Sequence, residues 1–190
     1  IITPPGYLAE VYRQIRDSGG VCIADEVQTG LGRLGNHYFG FEYQKVCPDI
    51  VVLGKPIGNG YPIGVVATTK EIANNFDNGI EFFSTFGGST LSCVIANEVI
   101  EIVEDESLQS NARKMGEKLK TGLKNLQNKY NSIGDVRGMG LFVGIELIDE
   151  NGKENTRLCT FVKNRMRDFR ILIGSEGPMD NVCLLYTSPS

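Results

Sequence analysis

Apolar side chains recur at helical spacing in four stretches of the chain. The first stretch covers residues 7–17, and two consecutive glycines at positions 19 and 20 end its pattern. The other stretches cover residues 90–105, about 108–130 and about 156–169. This spacing predicts four helices separated by segments of a different character.

Short, continuous apolar runs predict the strands. They cover residues 21–24, 50–53 and 63–67, and polar or glycine-rich segments stop each one. Asp25 follows the first run and Gly54-Lys55 follows the second. Continuous apolar runs are typical of strands that are buried on both faces, as in a parallel sheet. Helices that alternate with such strands indicate an α/β fold with loops at the carboxyl ends of the strands.

The pattern changes after the long third helix. Residues 135–140 have the composition of a turn-rich link, and residues 141–148 then alternate as a strand does. The fourth helix and a short apolar run at 171–173 complete an α+β unit. We therefore expect the C-terminal part of a large α/β domain over 1–105 and a small C-terminal α+β domain over 106–183.

Composition and charge exclude several classes of protein. The chain has 41% apolar and 22% charged residues, which is ordinary for a soluble globular protein. A net charge of −4 without a basic stripe argues against a nucleic-acid partner. No apolar run approaches the roughly 20 residues of a membrane span, so no membrane partner is expected either. The start of the chain lacks the charged and apolar regions of a signal peptide, which favours the cytoplasm.

The five cysteines and the single histidine do not form a metal-binding pattern. The cysteine number is odd and no two cysteines are spaced as CxxC. We expect mostly buried, reduced thiols of a cytosolic protein. His37 lies in a glycine-rich loop without a visible nucleophile or base beside it, and we expect it to be structural.

Two nucleotide-binding hypotheses fail on spacing. Asp25-Glu26 at a strand end could hold Mg²⁺ in a nucleotide hydrolase, but that chemistry requires a GxxxxGK[ST] loop. Gly54-Lys55 is followed by Pro56, and position 49 is not glycine. No glycine cluster completes the GxGxxG pattern of a dinucleotide site.

Lys55 and Asp25 are the candidate chemical pair. Each follows a buried apolar run, and ligands of α/β folds bind at the carboxyl ends of neighbouring parallel strands. From spacing alone, Lys55 could be either a solvated loop lysine or a partly desolvated amine with a lowered pKa, able to act as a nucleophile. An amine and a carboxylate facing one crevice would suit pyridoxal phosphate, which needs a lysine for its aldehyde and an acid for its ring nitrogen.

Four ordered segments of the chain resemble class III pyridoxal-phosphate-dependent aminotransferases. The interval of 30 residues from position 25 to position 55 also suits that family. Together the segments extend over most of residues 1–180. They are Ile-Ala-Asp-Glu-Val-Gln-Thr-Gly-Leu-Gly-Arg at 23–33, Pro-Asp-Ile-Val-Val-Leu-Gly-Lys at 48–55 with Gly-Asn-Gly at 58–60, Ser-Thr-Phe-Gly-Gly at 84–88, and Asp-Val-Arg-Gly-Met-Gly-Leu at 135–141.

The resemblance implies a fold, a cofactor and a set of residue roles. The fold would be that of fold-type I pyridoxal-phosphate-dependent transferases, with a mostly parallel sheet in the large domain. Lys55 would bind the cofactor covalently and shuttle a proton, and Asp25 would pair with its ring nitrogen. Val27 would pack on the ring and Gln28 would bond near its phenolic oxygen. Ser84 and Thr85 would donate to a phosphate across the interface of a homodimer.

The resemblance also implies an activity and leaves alternatives open. The expected reaction moves an amino group from an amine or amino acid to a 2-oxo acid, as in the alanine–glyoxylate type of the family. Phospho-lyases that act on phosphorylated amino alcohols resemble residues 81–85 and 177–182 as well. A non-catalytic domain with a relict cofactor site is a third hypothesis, which intact Asp25, Gln28 and Lys55 disfavour.

The chain departs from the family pattern at several positions. The phosphate-binding turn and the stacking aromatic that members carry upstream of position 1 are absent, and Ser89-Thr90 stands where Asn-Pro is usual. Leu184 occupies a position where members carry Lys or Arg. We therefore expect a fragment that is inactive alone, with a non-native tail at 184–190. We expect structural roles for Arg33 and Arg137.

Overall fold

The computed structural model describes residues 2–186, the side chain of residue 186 excepted. Contacts between residues divide the chain into two compact units. Unit 1 holds the described residues up to Gly32 together with His37–Gln109. Unit 2 holds Arg33–Asn36 and the described residues from Ser110 onward. The sequence-based boundary at 105/106 falls close to this junction, and the assignment of the two parts as domains stays a prediction.

Unit 1 combines helices with a three-stranded sheet in the order β1-β2-β3. β1 pairs with β2 in parallel, and β2 pairs with β3 antiparallel. The sheet is therefore mixed in the described part of the chain. In chain order the elements are α1 (Tyr7–Asp17), β1 (Ile23–Asp25), α2 (Gly40–Tyr43), β2 (Ile50–Leu53), a 3-10 turn (Lys55–Gly58), β3 (Val65–Thr68), α3 (Lys70–Phe76) and α4 (Thr90–Asp105).

Local sequence signals set the helix ends in unit 1. The backbone N–H of Gly20 donates to the carbonyl of Ile15 at 2.8 Å and closes the end of α1, while Gly19 adopts a positive φ of 77°. The Ser89 hydroxyl accepts a hydrogen bond from the Ser92 N–H at 3.4 Å and caps the start of α4. The predictions of helices over 7–17 and 90–105 are confirmed at both ends.

The expectation that the strands are buried on both faces is wrong for this chain. Ile23 in β1 is 58% exposed and Val66 in β3 is 67% exposed, whereas Ala24 is buried. One face of the sheet therefore lacks a covering layer within residues 2–186. The first strand also begins at Ile23 rather than at residue 21. Just before β1, the N–H of Cys22 donates a hydrogen bond to the carboxylate of Asp49 at 2.8 Å.

Unit 2 is an antiparallel sheet with helical cover. Its strand order is β4-β5-β7-β6, and all three pairings are antiparallel. Leu147, Cys159 and Cys183 form a buried cluster with partly buried apolar side chains around it. The elements are α5 (Leu108–Gln127, which begins in unit 1), β4 (Ile133–Met139), β5 (Phe142–Leu147), α6 (Thr156–Asp168), β6 (Gly174–Glu176) and β7 (Val182–Tyr186).

The sequence-based expectation of a turn-rich link at 135–140 is wrong. Residues up to Met139 belong to β4 and form a hairpin with β5, where Met139 pairs with Phe142. Glycine is needed within this strand because the two backbones approach closely. A Cβ on Gly138, which has a φ of 137°, would lie 2.2 Å from the carbonyl oxygen of Phe142. Gly138 thus permits strand pairing rather than marks a loop.

The strand expected at 171–173 is also displaced. The N–H of Ile171 donates to the carbonyl of Met166 at 3.0 Å, and Arg170 has a positive φ of 63°. These residues therefore form the turn that ends α6, and Leu172 is 83% exposed. The strand begins at Gly174, which pairs with Leu184 of β7.

Strand β7 reaches into the segment that was expected to be a non-native tail. Leu184 and Leu185 pair with Gly144 and Val143 of β5, and Leu184 is buried. Apolar residues at these positions fit a central strand of the sheet. Residues 187–190 lie outside the described residues, and the origin of the tail stays a prediction.

Candidate active site

The candidate carboxylate and the candidate amine, Asp25 and Lys55, lie at one edge of the sheet in unit 1. Asp25 is the last residue of β1 and pairs with Val52 of the parallel strand β2. Lys55 follows β2 directly after Gly54. The carboxyl ends of parallel strands share one edge, so the fold brings Asp25 and Lys55 to the same side of the sheet, and both are exposed.

The Asp25 carboxylate is held by the backbone and keeps one oxygen free. Its Oδ1 accepts a hydrogen bond from the N–H of Val27 at 3.1 Å. Among the described residues, no second donor contacts this carboxylate. Asp25 can therefore offer an oriented oxygen to an external cationic group.

Val27 links the two strand ends by packing. A Cβ added to Gly54 would lie 3.4 Å from the Cγ1 of Val27, so the valine side chain lies directly beside the residue that precedes Lys55. Val27 is half-buried. The arrangement places an apolar side chain beside the backbone that leads into Lys55.

Lys55 lies in a tight and unusual backbone conformation. Its φ is 39°, in the left-handed region that non-glycine residues rarely occupy. The turn is anchored by Ile57, which is 2% exposed and donates its N–H to the carbonyl of Gly54 at 3.1 Å. Helix α4 packs on this turn. Strained, anchored positions of this kind cluster at functional sites.

The side chain of Lys55 is exposed and unpaired within the part of the chain that the structure describes. None of the ion pairs or hydrogen bonds found between residues 2 and 186 involves its ammonium group. The amine is therefore presented by a rigid turn and remains available to a ligand.

Glu26 has a hydrogen-bonding role at the site that sequence reasoning missed. It is 4% exposed, and its carboxylate accepts hydrogen bonds from the Thr29 hydroxyl at 2.6 Å and from the N–H groups of Gly40 and Phe41 at 2.8 and 2.9 Å. Asp25 at the end of β1 is exposed, whereas Glu26, the next residue, is buried. In residues 2–186 no three acid, histidine or cysteine side chains gather as a metal site would require.

The other predicted cofactor contacts are not joined to this pair by hydrogen bonds. Gln28 is half-buried, and its amide has no partner among the described residues. Ser84 and Thr85 are exposed in the loop before α4, where the Ser84 hydroxyl accepts a hydrogen bond from the Gly87 N–H at 3.0 Å. The Ser84 hydroxyl thus stabilises a turn within its own loop. The cofactor roles of Gln28, Ser84 and Thr85 stay predictions.

Several other residues singled out by the sequence have structural partners. The ring of His37 lies 5.8 Å from that of Tyr43. One guanidinium nitrogen of Arg137 contacts the carboxylate of Asp135 on the same strand and that of Glu146 across the β4-β5 hairpin. Arg33 is 7% exposed. These environments agree with structural roles.

An apolar, exposed surface surrounds the segment that carries Ser84 and Thr85. Phe82, Phe83 and Phe86 are 73%, 80% and 86% exposed, and Ile80 is 79% exposed. Clusters of exposed aromatic side chains are typical of interaction surfaces. We call residues 80–86 the aromatic loop.

The comparisons with known proteins agree on one family. The family model described as Aminotransferase class-III matches residues 1–187. A Drosophila melanogaster protein named alanine–glyoxylate aminotransferase 2-like is 48% identical over 189 residues, which are 97% of this chain and 38% of that protein. A Caenorhabditis elegans protein named ethanolamine-phosphate phospho-lyase homolog 1 is 40% identical over 188 residues, 96% of this chain and 40% of that protein.

A solved structure matches the fold over nearly the whole chain. It is a phospholyase from Arthrobacter in complex with phosphoethanolamine, with a TM-score of 0.92 and 37% sequence identity. The match covers 96% of this chain and 44% of that one. The chain therefore spans about two fifths of the length of the relatives it matches. No helix among residues 2–186 has the length and apolar character needed to cross a bilayer.

Proposed function

The chain belongs to the class III aminotransferase family, and from that premise we propose that its protein transfers an amino group from an amine or amino acid to a 2-oxo acid. Its fold is α/β, of the fold-type I that pyridoxal-phosphate-dependent aminotransferases share, and the family depends on this cofactor. The observation that carries the proposal is the exposed Lys55 amine at the same sheet edge as the free oxygen of Asp25.

The residues at this edge fit the chemical groups of pyridoxal phosphate. An aldehyde requires a primary amine, which Lys55 presents on its turn, and a ring nitrogen requires a carboxylate, which Asp25 offers through one unbonded oxygen. Val27 supplies an apolar surface for a ring face, and Gln28 has a free amide for a phenolic oxygen. When bound, this cofactor acts as an electron sink for a carbanion at the substrate Cα.

The protein's own groups would then do two things. The negative charge of Asp25 favours the protonated ring nitrogen, because an opposite charge stabilises the charged form. The Nζ of Lys55 would take the proton from the substrate Cα once its turn holds it nearby. Both roles use side chains that are exposed and anchored by their backbones.

We also propose that the protein is a homodimer in which Ser84 and Thr85 bind the cofactor phosphate of the other subunit. The support is the aromatic loop, which exposes apolar surface around the exposed hydroxyls of Ser84 and Thr85. Burial of that loop against a second copy would remove this surface from water. It follows that the 190 residues alone would retain the cofactor poorly. We also propose a cytoplasmic location, as the odd number of cysteines without CxxC spacing suggests.

A phospho-lyase is the second candidate function. The structural likeness to a phospholyase with phosphoethanolamine and the phospho-lyase named among the relatives favour it. In that reaction the carbanion at Cα expels a phosphate from the neighbouring carbon. Asp25 and Lys55 would have the same roles in both reactions.

One pair of assays separates the two reactions. The complete protein with bound cofactor is incubated with alanine and glyoxylate, and separately with phosphoethanolamine alone. Formation of pyruvate and glycine supports the aminotransferase, whereas release of inorganic phosphate supports the phospho-lyase. Absence of both products, with the cofactor bound, would favour a relict site.

A further inference from the structure

The carboxylate of Glu26 is the most strongly bonded acid at the candidate site. It is 4% exposed, and burial of a charged carboxylate without hydrogen-bond partners would cost free energy. Three donors surround it, at 2.6 Å from the Thr29 hydroxyl, 2.8 Å from the Gly40 N–H and 2.9 Å from the Phe41 N–H. Hydrogen bonds to a charged acceptor are the strong ones in proteins. This side chain is therefore fixed in one position.

These bonds tie the end of β1 to a segment 14 residues further along the chain. Gly40 begins α2, and it lies so close that an added Cβ would be 3.1 Å from Thr29 and 3.2 Å from the Glu26 carboxylate. A side chain at position 40 would require these neighbours to move by a few tenths of an ångström. Glu26 thus closes the loop from Val27 to Phe39 back onto the strand.

The backbone of Glu26 is held as firmly as its side chain. Its N–H donates to the carbonyl of Val52 in β2 at 2.9 Å, and its carbonyl accepts the N–H of Gly30 at 3.0 Å. Asp25 and Val27, the two neighbours in sequence, have no side-chain anchor of comparable strength. The firmly held Glu26 is the one residue that separates them in the chain.

We propose that Glu26 is a positioning residue, which orients Asp25 and Val27 toward the cofactor without contacting it. The proposal rests on the proposed function of the Asp25 and Lys55 pair. A small displacement of Asp25 would weaken its bond to the ring nitrogen, and displacements near 1 Å can reduce rates by about 100-fold. Glu26 would therefore influence the cofactor through the backbone.

The test compares two carboxylate-to-amide variants at opposite ends of the same strands. Glu26→Gln replaces an acceptor oxygen by an amide donor that faces N–H and O–H groups. Asp49→Asn is the matched control, because Asp49 accepts the Cys22 N–H at 2.8 Å and binds Arg16 at the start of β1 and β2. Each complete holoenzyme is measured for thermal unfolding, kcat, KM and the pH midpoint of the cofactor's visible absorption.

We expect Glu26→Gln to shift the absorption midpoint and to lower kcat by about tenfold or more, with KM changed much less. Asp49→Asn should lower the unfolding temperature and leave the midpoint unchanged. If Glu26→Gln also keeps the wild-type midpoint and kcat, the residue only stabilises the fold and the proposal is overturned.

A second pair of variants, at Thr29, changes the site less and tests the proposal even if Glu26→Gln does not fold. Thr29→Val removes a single donor to Glu26, and Thr29→Ser keeps it. We expect a midpoint shift in the valine variant and wild-type behaviour in the serine variant. Equal, wild-type spectra and kcat in both would overturn the proposal even if Glu26→Gln does not fold. A wild-type protein that takes up no cofactor would instead refute the proposed function.

Discussion

The N–H of Val27 donates a hydrogen bond to the carboxylate of Asp25, with 3.1 Å between nitrogen and Oδ1. This short turn fixes the Asp25 side chain at the end of β1 and leaves its second oxygen without a partner in the described chain. The acid is therefore oriented before any ligand arrives. Because the same turn places Val27 beside Gly54, the orientation of Asp25 is linked to the backbone that presents Lys55.

The charge of Asp25 should matter more than its shape. Asp25→Asn keeps an oxygen for the Val27 N–H but removes the charge that favours a protonated ring nitrogen. We expect kcat to fall on the order of 100-fold while the protein still folds and binds the cofactor. Steady-state kinetics and cofactor content measure this, and a variant with most of its activity would disprove the role of Asp25.

Asp49 should make the stability of the protein depend on pH. The hydrogen bond from the Cys22 N–H, followed by that from Arg16, lowers the pKa of Asp49 below its ordinary value of 3.8. A depressed folded-state pKa adds stability above the unfolded pKa, and this contribution is lost as the pH falls through the folded pKa.

Asp49→Asn should therefore destabilise the protein at neutral pH, by about 1–2 kcal/mol because the site is partly exposed. The difference from the wild type should shrink as the pH falls below about 4. Urea unfolding at pH 7 and at lower pH values measures it. A difference that stays constant over this range would show that the charge of Asp49 is not the cause.

Gly116 should tolerate no side chain. An added Cβ would lie 2.0 Å from the carbonyl oxygen of Gly140, where α5 meets the β4-β5 hairpin. We expect Gly116→Ala to destabilise unit 2 by about 3 kcal/mol or more. Gly122→Ala in the same helix is the control, because nothing lies within 4 Å of its added Cβ. That variant should be neutral or slightly more stable, and equal losses in both variants would contradict the packing described.

The cysteines should differ sharply in reactivity. Burial, followed by a thiol contact with Cys159 at 3.2 Å, raises the pKa of Cys183 to about 12. The reactive thiolate is therefore scarce at pH 8. Alkylation of the native protein should label exposed Cys47 and Cys93 first, and label Cys159 and Cys183 only after denaturation. Mass spectrometry of the peptides measures this, and early labelling of Cys183 would contradict its buried position.

Helices with clear ends were predictable from the sequence, and glycine-containing strands were not. The glycines after residue 18 and the serine before α4 act within their own helices, so their signals are local. The glycine at position 138 is instead required by the close approach of the Phe142 carbonyl on the opposite strand. A sequence pattern does not show such a cross-strand approach, and the β4 segment therefore looked like a link.

The residues of the candidate site also differ in whether local sequence signals predict them. Asp25 ends β1 and Lys55 lies two residues after the end of β2, so the rule for strand ends located them. The role of Glu26 depends on donors at positions 40 and 41, far along the chain, and no periodic signal connects them. The hydroxyls of Ser84 and Thr85 are exposed within this chain, so their proposed ligand depends on a second copy.

The covalent attachment of the cofactor to Lys55 tests the central claim most directly. The complete protein with bound pyridoxal phosphate is reduced with borohydride, digested and analysed by mass spectrometry. Lys45→Ala is the control for Lys55→Ala, since Lys45 is also exposed and has a similar positive φ of 55°. We predict a phosphopyridoxyl label on the peptide that contains Lys55, retained in Lys45→Ala and lost in Lys55→Ala. A label on another lysine, or its persistence in Lys55→Ala, would contradict the proposed site.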